Sequence, residues 1–494
     1  MEQQSFLNEL KTKIENRCAL WRVGWLGKIV CSPIFWIVLF LSVRFFISDH
    51  SVIMFPDTFS YTYNYKANIF RGETDLFRTP LYPSFISLIQ KTLNDEKIFD
   101  VDSGFCSYDK IIKQQYFSFT PYLQEDSITA LAVYGELPTF TIPVDKPSVS
   151  NGHIILSGQK SCPYVVYSQF AIWVIAVSYF YGTIKKCFSN SFISFFLVLF
   201  IGNYFLFEQR IILTESLALS MTLIMFGMLI NHVYKPRYYL AVCINCMAFL
   251  MVMLRPAFLI FYVLLLGFWF AQILFSSNNK KIGVVGLLTL LLSSSFVYGY
   301  CELNRRNYGI FTISSVGTIN QSNILIRTGF YKNCSNKEYV DFLDKQNIDP
   351  TKDFQYEVLA NFTRELGFPA LKEFTSQTIK NNFISYILLT LKRMYWDMST
   401  SNFQLLYLVV MIEFLLLISM SISLRLFPWT RLIFWLYFSV MLFGIYYGAH
   451  CCFPRLIIPA LPVYFIICAR YIDMIFVAYS KSKTEFIQYL KSTL

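Results

Sequence analysis

The feature that most constrains the fold of this chain is a series of apolar runs separated by basic residues. Several runs approach or exceed about 18 residues, the length that a helix needs to cross a bilayer. Hydrophobic residues make up 55% of the 494 residues and charged residues only 15%, against about 25% charged residues in soluble domains. The sequence therefore predicts a polytopic membrane protein.

The positions of Lys and Arg predict the topology. Each short loop that this topology assigns to the cytoplasm carries at least two basic residues, as the positive-inside rule requires. The first apolar run has no small-residue cleavage site after it and is predicted to be a retained anchor. Ten spans with both termini in the cytoplasm satisfy these conditions. They are predicted at about residues 29–47, 164–184, 190–207, 211–231, 238–254, 257–275, 282–300, 403–424, 432–447 and 456–478.

This topology divides the chain into three parts. Residues 1–28 form a cytoplasmic amphipathic lead-in, residues 29–478 a transmembrane domain, and residues 479–494 a cytoplasmic basic tail. Two long loops, 48–163 and 301–402, fall on the same outer face. The expected fold is all-α, with about ten transmembrane helices and partly helical outer loops, in an integral protein of the bacterial inner membrane.

Both outer loops carry patterns of regular structure. Apolar residues from Leu81 to Leu93 recur near helical spacing, which is typical of a helix lying on the membrane surface. In the second loop, Ser335 and Thr351 are predicted helix caps, and a long amphipathic stretch follows from Pro369 to about Met394. The interval 99–163 is richer in β-branched residues and turns, which favours a small β element.

The four cysteines of the outer loops leave two alternatives open. An oxidising outer compartment allows one disulfide in each loop, Cys106 with Cys162 and Cys301 with Cys334. The other alternative is four free thiols.

Nucleic-acid and metal binding are not expected. The net charge of +11 comes from basic residues at the ends of apolar runs, whereas a nucleic-acid interface needs them clustered on a soluble module. The four histidines form no cluster with metal-ligand spacing. Neither a metal nor another cofactor is therefore predicted.

Charged residues at membrane depth are costly and therefore suggest a functional site. Each one also has an ordinary interpretation as an interfacial anchor, a helix cap or a neutralising partner. Their position on one predicted face, beside two structured loops, instead favours a shared polar site. These residues are Asp57, Glu208, Arg210, Glu215, Arg255, His450 and Arg455.

A set of short motifs extends this interpretation over most of the chain. The set resembles the GT-C fold glycosyltransferases, in particular the bacterial relatives of the protein O-mannosyltransferase and aminoarabinose-transferase superfamily (glycosyltransferase family 39-like). Two departures are that Thr58 stands where that family often has a second acidic residue, and that the interval 99–163 is long. The motifs are Pro56-Asp57-Thr58-x-x-Tyr61, Gly72 with Arg78-Thr79-Pro80-Leu81-Tyr82-Pro83, Leu213-Thr214-Glu215-Ser216-Leu217, Leu254-Arg255-Pro256, and Arg455 with Pro459 and Pro462.

The resemblance implies a hexosyl- or pentosyltransferase that uses a polyprenyl-phosphate-linked sugar. The acceptor would be a lipid, a glycan or a protein at the outer face of the membrane, and the sugar carbon would invert. Asp57 would be the general base. Glu215 would be a second catalytic residue that orients an arginine or binds sugar hydroxyls.

The resemblance also implies a set of substrate-binding residues. Arg255 and Arg455 are the first choices for the lipid phosphate, because a guanidinium binds phosphate bidentately and stays charged. Arg78 and Arg210 follow them. Tyr61, Tyr82 and His450 are further expected substrate contacts.

Other functions share this chemistry. A transporter or flippase would bind the same lipid-linked glycan without reacting with it, and a polymerase or ligase of surface polysaccharide would work at the same face. Transporters often contain inverted repeats and broken helices. We see no internal repeat in the sequence, and the two long outer loops favour an enzyme.

Overall fold

A computed structural model of the protein describes most of the apolar part of the chain. The described residues are 29–47, most of 74–93, 162–276, 279–351, 355–400 and 458–480, with short strands between 52 and 156 and isolated residues such as Tyr61, Gly72 and several from 436 to 448. Their main elements are thirteen helices. In chain order these are α1 (Pro33–Ile47), α2 (Leu81–Thr92), α3 (Cys162–Ile184), α4 (Ser191–Tyr204), α5 (Thr214–Tyr234), α6 (Tyr238–Leu254), α7 (Ile260–Phe275), α8 (Lys280–Tyr308), α9 (Val316–Arg327), α10 (Lys337–Asp344), α11 (Tyr356–Asn381), α12 (Phe383–Thr400) and α13 (Leu461–Ser480).

The predicted helical, polytopic fold is confirmed. Helices α3, α4, α5, α7, α8 and α13, with adjoining turns of 3-10 helix, are long and apolar enough to cross a membrane, and α1 and α6 are shorter apolar helices. These eight helices match eight of the ten predicted spans. The other two, at 403–424 and 432–447, lie almost wholly outside the described residues.

Helix α5 is the centre of the bundle. Of its 21 residues 17 are buried, as expected for a helix that is apolar around its whole circumference. It packs against α3 and α6. At Gly227 a Cβ atom would lie 2.6 Å from the ring of Tyr179 on α3, so a side chain there would displace that ring.

A buried amide joins the neighbouring helices. The Nδ2 of Asn245 on α6 donates to the carbonyl oxygen of Gly286 (2.7 Å) and to the hydroxyl of Thr289 (2.6 Å), both on α8. Its Oδ1 accepts from Nε1 of Trp269 on α7 at 3.1 Å. One side chain thus connects three apolar helices.

The first long loop contains α2 and short strands. Two three-stranded antiparallel sheets have the orders β1–β6–β5 and β2–β3–β4. Strands β5 and β6 are joined by two residues, with Ser150 opposite His153, which is the commonest hairpin connection. The strands are β1 (Val52–Met54), β2 (Leu123–Gln124), β3 (Ser127–Thr129), β4 (Thr141–Pro143), β5 (Ser148–Ser150) and β6 (His153–Leu156).

The second long loop has its own small core. Leu325, Leu343, Phe362 and Phe374 are buried at 0% exposure in a cluster separate from the core of the bundle. The structure corrects where this loop begins. Helix α8 continues to Tyr308 rather than ending near residue 300, because the left-handed residue that stops a helix, Gly309 (φ 74°), comes only there.

The caps of the loop helices also differ from the prediction. Asn336, rather than Ser335, caps α10, since its side chain accepts a hydrogen bond from the backbone N–H of Glu338. Helix α11 begins after Gln355 rather than at Thr351. Cys301 and Cys334 are both free thiols, so the disulfide alternative does not hold for this pair.

Candidate functional site

The candidate site lies at the end of the bundle where α5 begins and α6 ends, which we call the site end. Glu215 is in the first turn of α5, and Arg255 directly follows α6. The Nη1 of Arg255 is 3.4 Å from Oε1 of Glu215. The side chain of Glu215 is 1% exposed and that of Arg255 is 14% exposed, so the arginine is the accessible member of the pair.

The local backbone explains how the two charges meet. Arg255 precedes Pro256, and a residue before proline is pushed out of the helical region into an extended conformation. Arg255 is indeed extended (φ −149°, ψ 125°), which ends α6 at Leu254. A carboxylate in the first turn of a helix is favoured by the helix dipole, and Glu215 occupies that position.

The guanidinium of Arg255 retains hydrogen-bonding capacity. A charge-assisted hydrogen bond is usually about 2.7–2.9 Å long, so the 3.4 Å approach to Glu215 is an ion pair without a hydrogen bond. Within the described part of the chain, Nη1 of Arg255 is buried and has no hydrogen-bond partner. Because the side chain as a whole is 14% exposed and its ion pair lacks a hydrogen bond, Arg255 is suited to bind a further group of negative charge.

A second set of buried side chains joins the first long loop to this end. The hydroxyl of Tyr82 on α2 donates to Oε1 of Gln169 on α3 at 2.6 Å. The Nε2 of Gln169 donates to the carbonyl oxygens of Gln209 (3.1 Å) and Ile211 (3.0 Å), in the turn that precedes α5. Gln169 therefore fixes α2 and the start of α5 relative to each other.

Tyr61 and Arg78 pack at the edge of this set. The ring of Tyr61 makes an edge-to-face contact with the ring of Tyr82, with centroids 5.1 Å apart. The guanidinium of Arg78 lies 4.6 Å from the centroid of the Tyr61 ring, within cation–π range. The next residue, Thr79, donates from its hydroxyl to the carbonyl oxygen of Leu254 at 2.7 Å, which places the Arg78 segment beside the end of α6.

The two long loops are held together near the same end. The Nδ2 of Asn307, in the last turns of α8, donates to the carbonyl oxygen of Gly72 at 2.7 Å. The backbone N–H of Ser315 donates to the carbonyl oxygen of Leu76 at 2.8 Å. These bonds tie the segment before Arg78 to the start of the second loop.

Arg210 anchors α1 to the site end. Its Nη2 donates to the carbonyl oxygen of Phe45 at 2.7 Å, and its guanidinium lies 5.1 Å from the Phe45 ring centroid. A cation that binds a carbonyl near a helix C-terminus stabilises that end. The residue is 6% exposed, so it is less accessible than Arg255.

The structure describes six of the nine predicted site residues. All six lie at the site end: Tyr61, Arg78, Tyr82, Arg210, Glu215 and Arg255. The other three, Asp57, His450 and Arg455, lie outside the described residues. Among the residues that are described, no group of three or more His, Cys, Asp or Glu side chains is arranged to hold a metal ion.

Sequence reasoning missed the neutral residues that hold the site together. Gln169 and Gln209 are both 0% exposed, and Gln209 also accepts from the Ser216 hydroxyl at 2.5 Å. A usable signal was present, because Gln169 is an amide within an otherwise apolar predicted span. Such a side chain commonly bonds across helices.

Comparisons with known proteins give one structural likeness. No protein-family model and no curated protein matches the sequence. Among solved structures, the chain is similar to a crystal structure of the oligosaccharyltransferase of Archaeoglobus fulgidus in complex with zinc and sulfate. The identity is 11% and the TM-score is 0.46, a value that does not by itself establish a common fold. The match covers 94% of this chain and 53% of that one, so the chain spans about half of its length.

Proposed function

We propose that this protein is a membrane glycosyltransferase that moves a sugar from a polyprenyl-phosphate donor to a lipid, glycan or protein acceptor at the outer face of the membrane. The observation that carries the proposal is Arg255: a guanidinium whose side chain is 14% exposed, directly after an apolar helix and beside a buried carboxylate. A lipid-linked phosphate provides both the negative charge and the acceptor oxygens that this group requires.

Arg255 would act on the leaving group. As the sugar–phosphate bond breaks, negative charge grows on the lipid phosphate, and a positioned cation lowers the barrier to that step. Glu215 would position the guanidinium rather than contact the substrate, because its carboxylate is nearly inaccessible. Arg455 is proposed as a second phosphate ligand, on sequence grounds.

Asp57 remains the proposed general base. It would take the proton from the acceptor hydroxyl as that oxygen attacks the sugar carbon, and a single displacement inverts that carbon. Four residues of extended chain span at most about 14 Å, which keeps Asp57 covalently close to Tyr61. Tyr61 in turn packs on Tyr82 and Arg78.

The remaining site residues have different proposed roles, which depend on how exposed each side chain is. Arg78 is half-buried, and its guanidinium is proposed to contact the donor directly, as is His450 on sequence grounds. Tyr82 is 0% exposed and hydrogen-bonded to Gln169. Its proposed role is therefore to position the Tyr61 ring rather than to contact the substrate. Arg210 contacts Phe45 near the end of α1, and we propose that it fixes the position of α1 relative to the site.

The test is a donor assay on the purified full chain in phospholipid nanodiscs. Polyprenyl-phosphate sugars of several kinds are supplied with a mixed pool of lipid, glycan and peptide acceptors, and mass spectrometry follows the polyprenyl phosphate. We expect release of polyprenyl phosphate with one or more sugars, and none from the Asp57→Asn variant.

A parallel assay in sealed vesicles separates transfer from transport. If the intact lipid-linked sugar crosses the bilayer without release of polyprenyl phosphate, the protein is a transporter and the proposal is wrong. Release that persists at the wild-type rate in Asp57→Asn would contradict the assignment of the base.

A further inference from the structure

A cavity lies at the opposite end of the bundle, where α5 and α7 end, which we call the far end. Its volume is about 160 Å³, against the roughly 10–15 Å³ that one water requires. At about 1.5 Å per residue, His232 lies about 25 Å along α5 from Glu215, so this cavity is distinct from the candidate site. Its lining residues come from α5, α7 and the turns beside them. The polar ones are His232, Gln272, Ser276 and Asn279.

His232 gives the cavity a specific hydrogen-bonding group. Its Nε2 lies 3.1 Å from Oε1 of Gln272; because an amide oxygen only accepts, Nε2 carries the proton and Nδ1 is left as an acceptor. The residue is 1% exposed, and within the described part of the chain Nδ1 has no hydrogen-bond partner. An unpaired buried acceptor is costly, so a donor from a bound molecule would stabilise this histidine.

Aromatic contacts fix the orientation of the imidazole. The His232 ring lies 5.1 Å from the Trp269 ring and 5.8 Å from the Phe268 ring, centroid to centroid, both edge-on. Phe268 and Phe275 also line the cavity, and Phe275 is 78% exposed at the end of α7. The cavity therefore combines apolar walls with a few polar groups, at the end of a helix that is long and apolar enough to cross a membrane.

The mouth of the cavity is basic. Lys235 and Arg237 flank its lining residue Pro236, and Lys280 and Lys281 follow Asn279; all four are exposed. The sequence contains no Asp or Glu from 216 to 301, so no acidic residue of these helices opposes that charge. Basic groups at a membrane surface attract anionic head groups.

We propose that this cavity binds the head group of an anionic glycerophospholipid that carries a free hydroxyl. The hydroxyl donates to Nδ1 of His232, the phosphate lies among the basic residues of the mouth, and the acyl chains follow the exposed Phe275. Charge complementarity selects an anionic over a zwitterionic lipid. The inference concerns the far end and holds whether or not the site end transfers a sugar.

The test compares three lipids on the purified full chain by native mass spectrometry. Phosphatidylglycerol is anionic with free hydroxyls, phosphatidylmethanol is anionic without them, and phosphatidylcholine is zwitterionic. We expect retention in that order, with phosphatidylglycerol at least about tenfold tighter than phosphatidylcholine. In His232→Leu, phosphatidylglycerol and phosphatidylmethanol should bind equally. Equal retention of all three lipids by the wild type would overturn the proposal.

A matched pair of variants locates the site. Ala271 lines the cavity, and Ala271→Leu should lower phosphatidylglycerol retention about tenfold by filling it. Ala171 is exposed on α3, and Ala171→Leu adds the same atoms elsewhere and should change nothing. If Ala271→Leu does not fold, the double variant Lys280→Gln/Lys281→Gln is tested instead. It should bind anionic and zwitterionic lipids equally. Unchanged retention in the variant that does fold would contradict the proposal.

Discussion

Among the described residues, each end of the bundle contains one buried carboxylate, and the two have partners of different kinds. At the far end, Asp473 on α13 is 0% exposed and accepts three hydrogen bonds from the turn between α3 and α4. The donors are the N–H and hydroxyl of Ser189, both at 2.9 Å, and the N–H of Asn190 at 3.1 Å. At the site end, Glu215 is equally buried but lies 3.3 Å from the Thr214 hydroxyl and 3.4 Å from Arg255.

The comparison shows that burial alone does not mark a functional carboxylate. Asp473 accepts hydrogen bonds from two backbone N–H groups and one hydroxyl of a turn, an arrangement that fixes a helix connection. Glu215 instead lies beside a cation whose own hydrogen bonds are incomplete and which is 14% exposed. A buried ion pair contributes little net stability, which agrees with the binding role that we propose for Arg255.

The largest expected effect is at Asp57, which tests whether the site end performs chemistry at all. Asp57→Asn removes the proposed base while preserving the size of the side chain. Since a general base contributes about 10²–10⁴-fold, transfer should fall below detection while insertion and folding are unchanged. Asp341→Asn, an exposed carboxylate of the second loop, is the control and should retain full activity. Wild-type turnover in the D57N variant would show that Asp57 is not the general base.

Arg255→Ala tests the phosphate role, and Arg306→Ala is its matched control. Arg306 also pairs with a glutamate, Glu302 at 3.6 Å, but its side chain is 72% exposed, and exposed pairs are worth about 0–1 kcal/mol. We expect transfer per folded molecule to fall about 100-fold in R255A and to stay unchanged in R306A. Arg255→Lys, which keeps the charge but loses the guanidinium fork, should fall between them. Equal rates in R255A and R306A would contradict the assignment.

Two buried amides, one beside the candidate site and one elsewhere in the bundle, test whether the position of an amide affects activity. Gln169 and Asn245 each make three hydrogen bonds in the bundle, and changing either to Leu should cost about 1–3 kcal/mol of unfolding free energy. Only Gln169 holds the turn before Glu215. The two variants should therefore have similar melting temperatures. Transfer per folded molecule, in contrast, should fall about tenfold in Gln169→Leu alone. Comparable activity losses in both would assign Gln169 a stabilising role only.

Asp473→Asn should have the smallest effect on activity. The amide oxygen can still accept from one of the two backbone N–H groups, but the NH2 group would face the other, so the free energy of unfolding should fall by about 3 kcal/mol. Transfer per folded molecule should stay within about twofold of the wild type. A large loss of specific activity, measured on the monodisperse fraction, would show that the far end also controls the reaction.

The helices of the bundle were predictable because hydropathy and basic residues act locally. The predicted span at 211–231 matches α5, Thr214–Tyr234, and that at 238–254 matches α6, Tyr238–Leu254. The end of α8 was not predicted, because residues 301–308 are amphipathic and resemble a loop in hydropathy although they continue the helix to Gly309.

Part of the candidate site was visible in the sequence and part was not. Charges in an apolar setting, such as Glu215 and Arg255, are rare enough to be noticed, and the topology assigned them to one end. Gln169 and Thr79 carry no charge, and their importance depends on carbonyl oxygens at Gln209 and Leu254 that are distant in sequence. Only the packing of α2, α3 and α6 brings these groups together.

The most direct test of the difference between the two ends is the affinity of the full chain for polyprenyl phosphate. The dissociation constant is measured by displacement of a labelled analogue from the wild type, Arg255→Ala and Asp473→Asn. We predict at least about tenfold weaker binding in Arg255→Ala, equivalent to about 1.4 kcal/mol, and wild-type affinity in Asp473→Asn. Wild-type affinity in Arg255→Ala, or an equal loss in both variants, would contradict the placement of the phosphate site at the end where α5 begins.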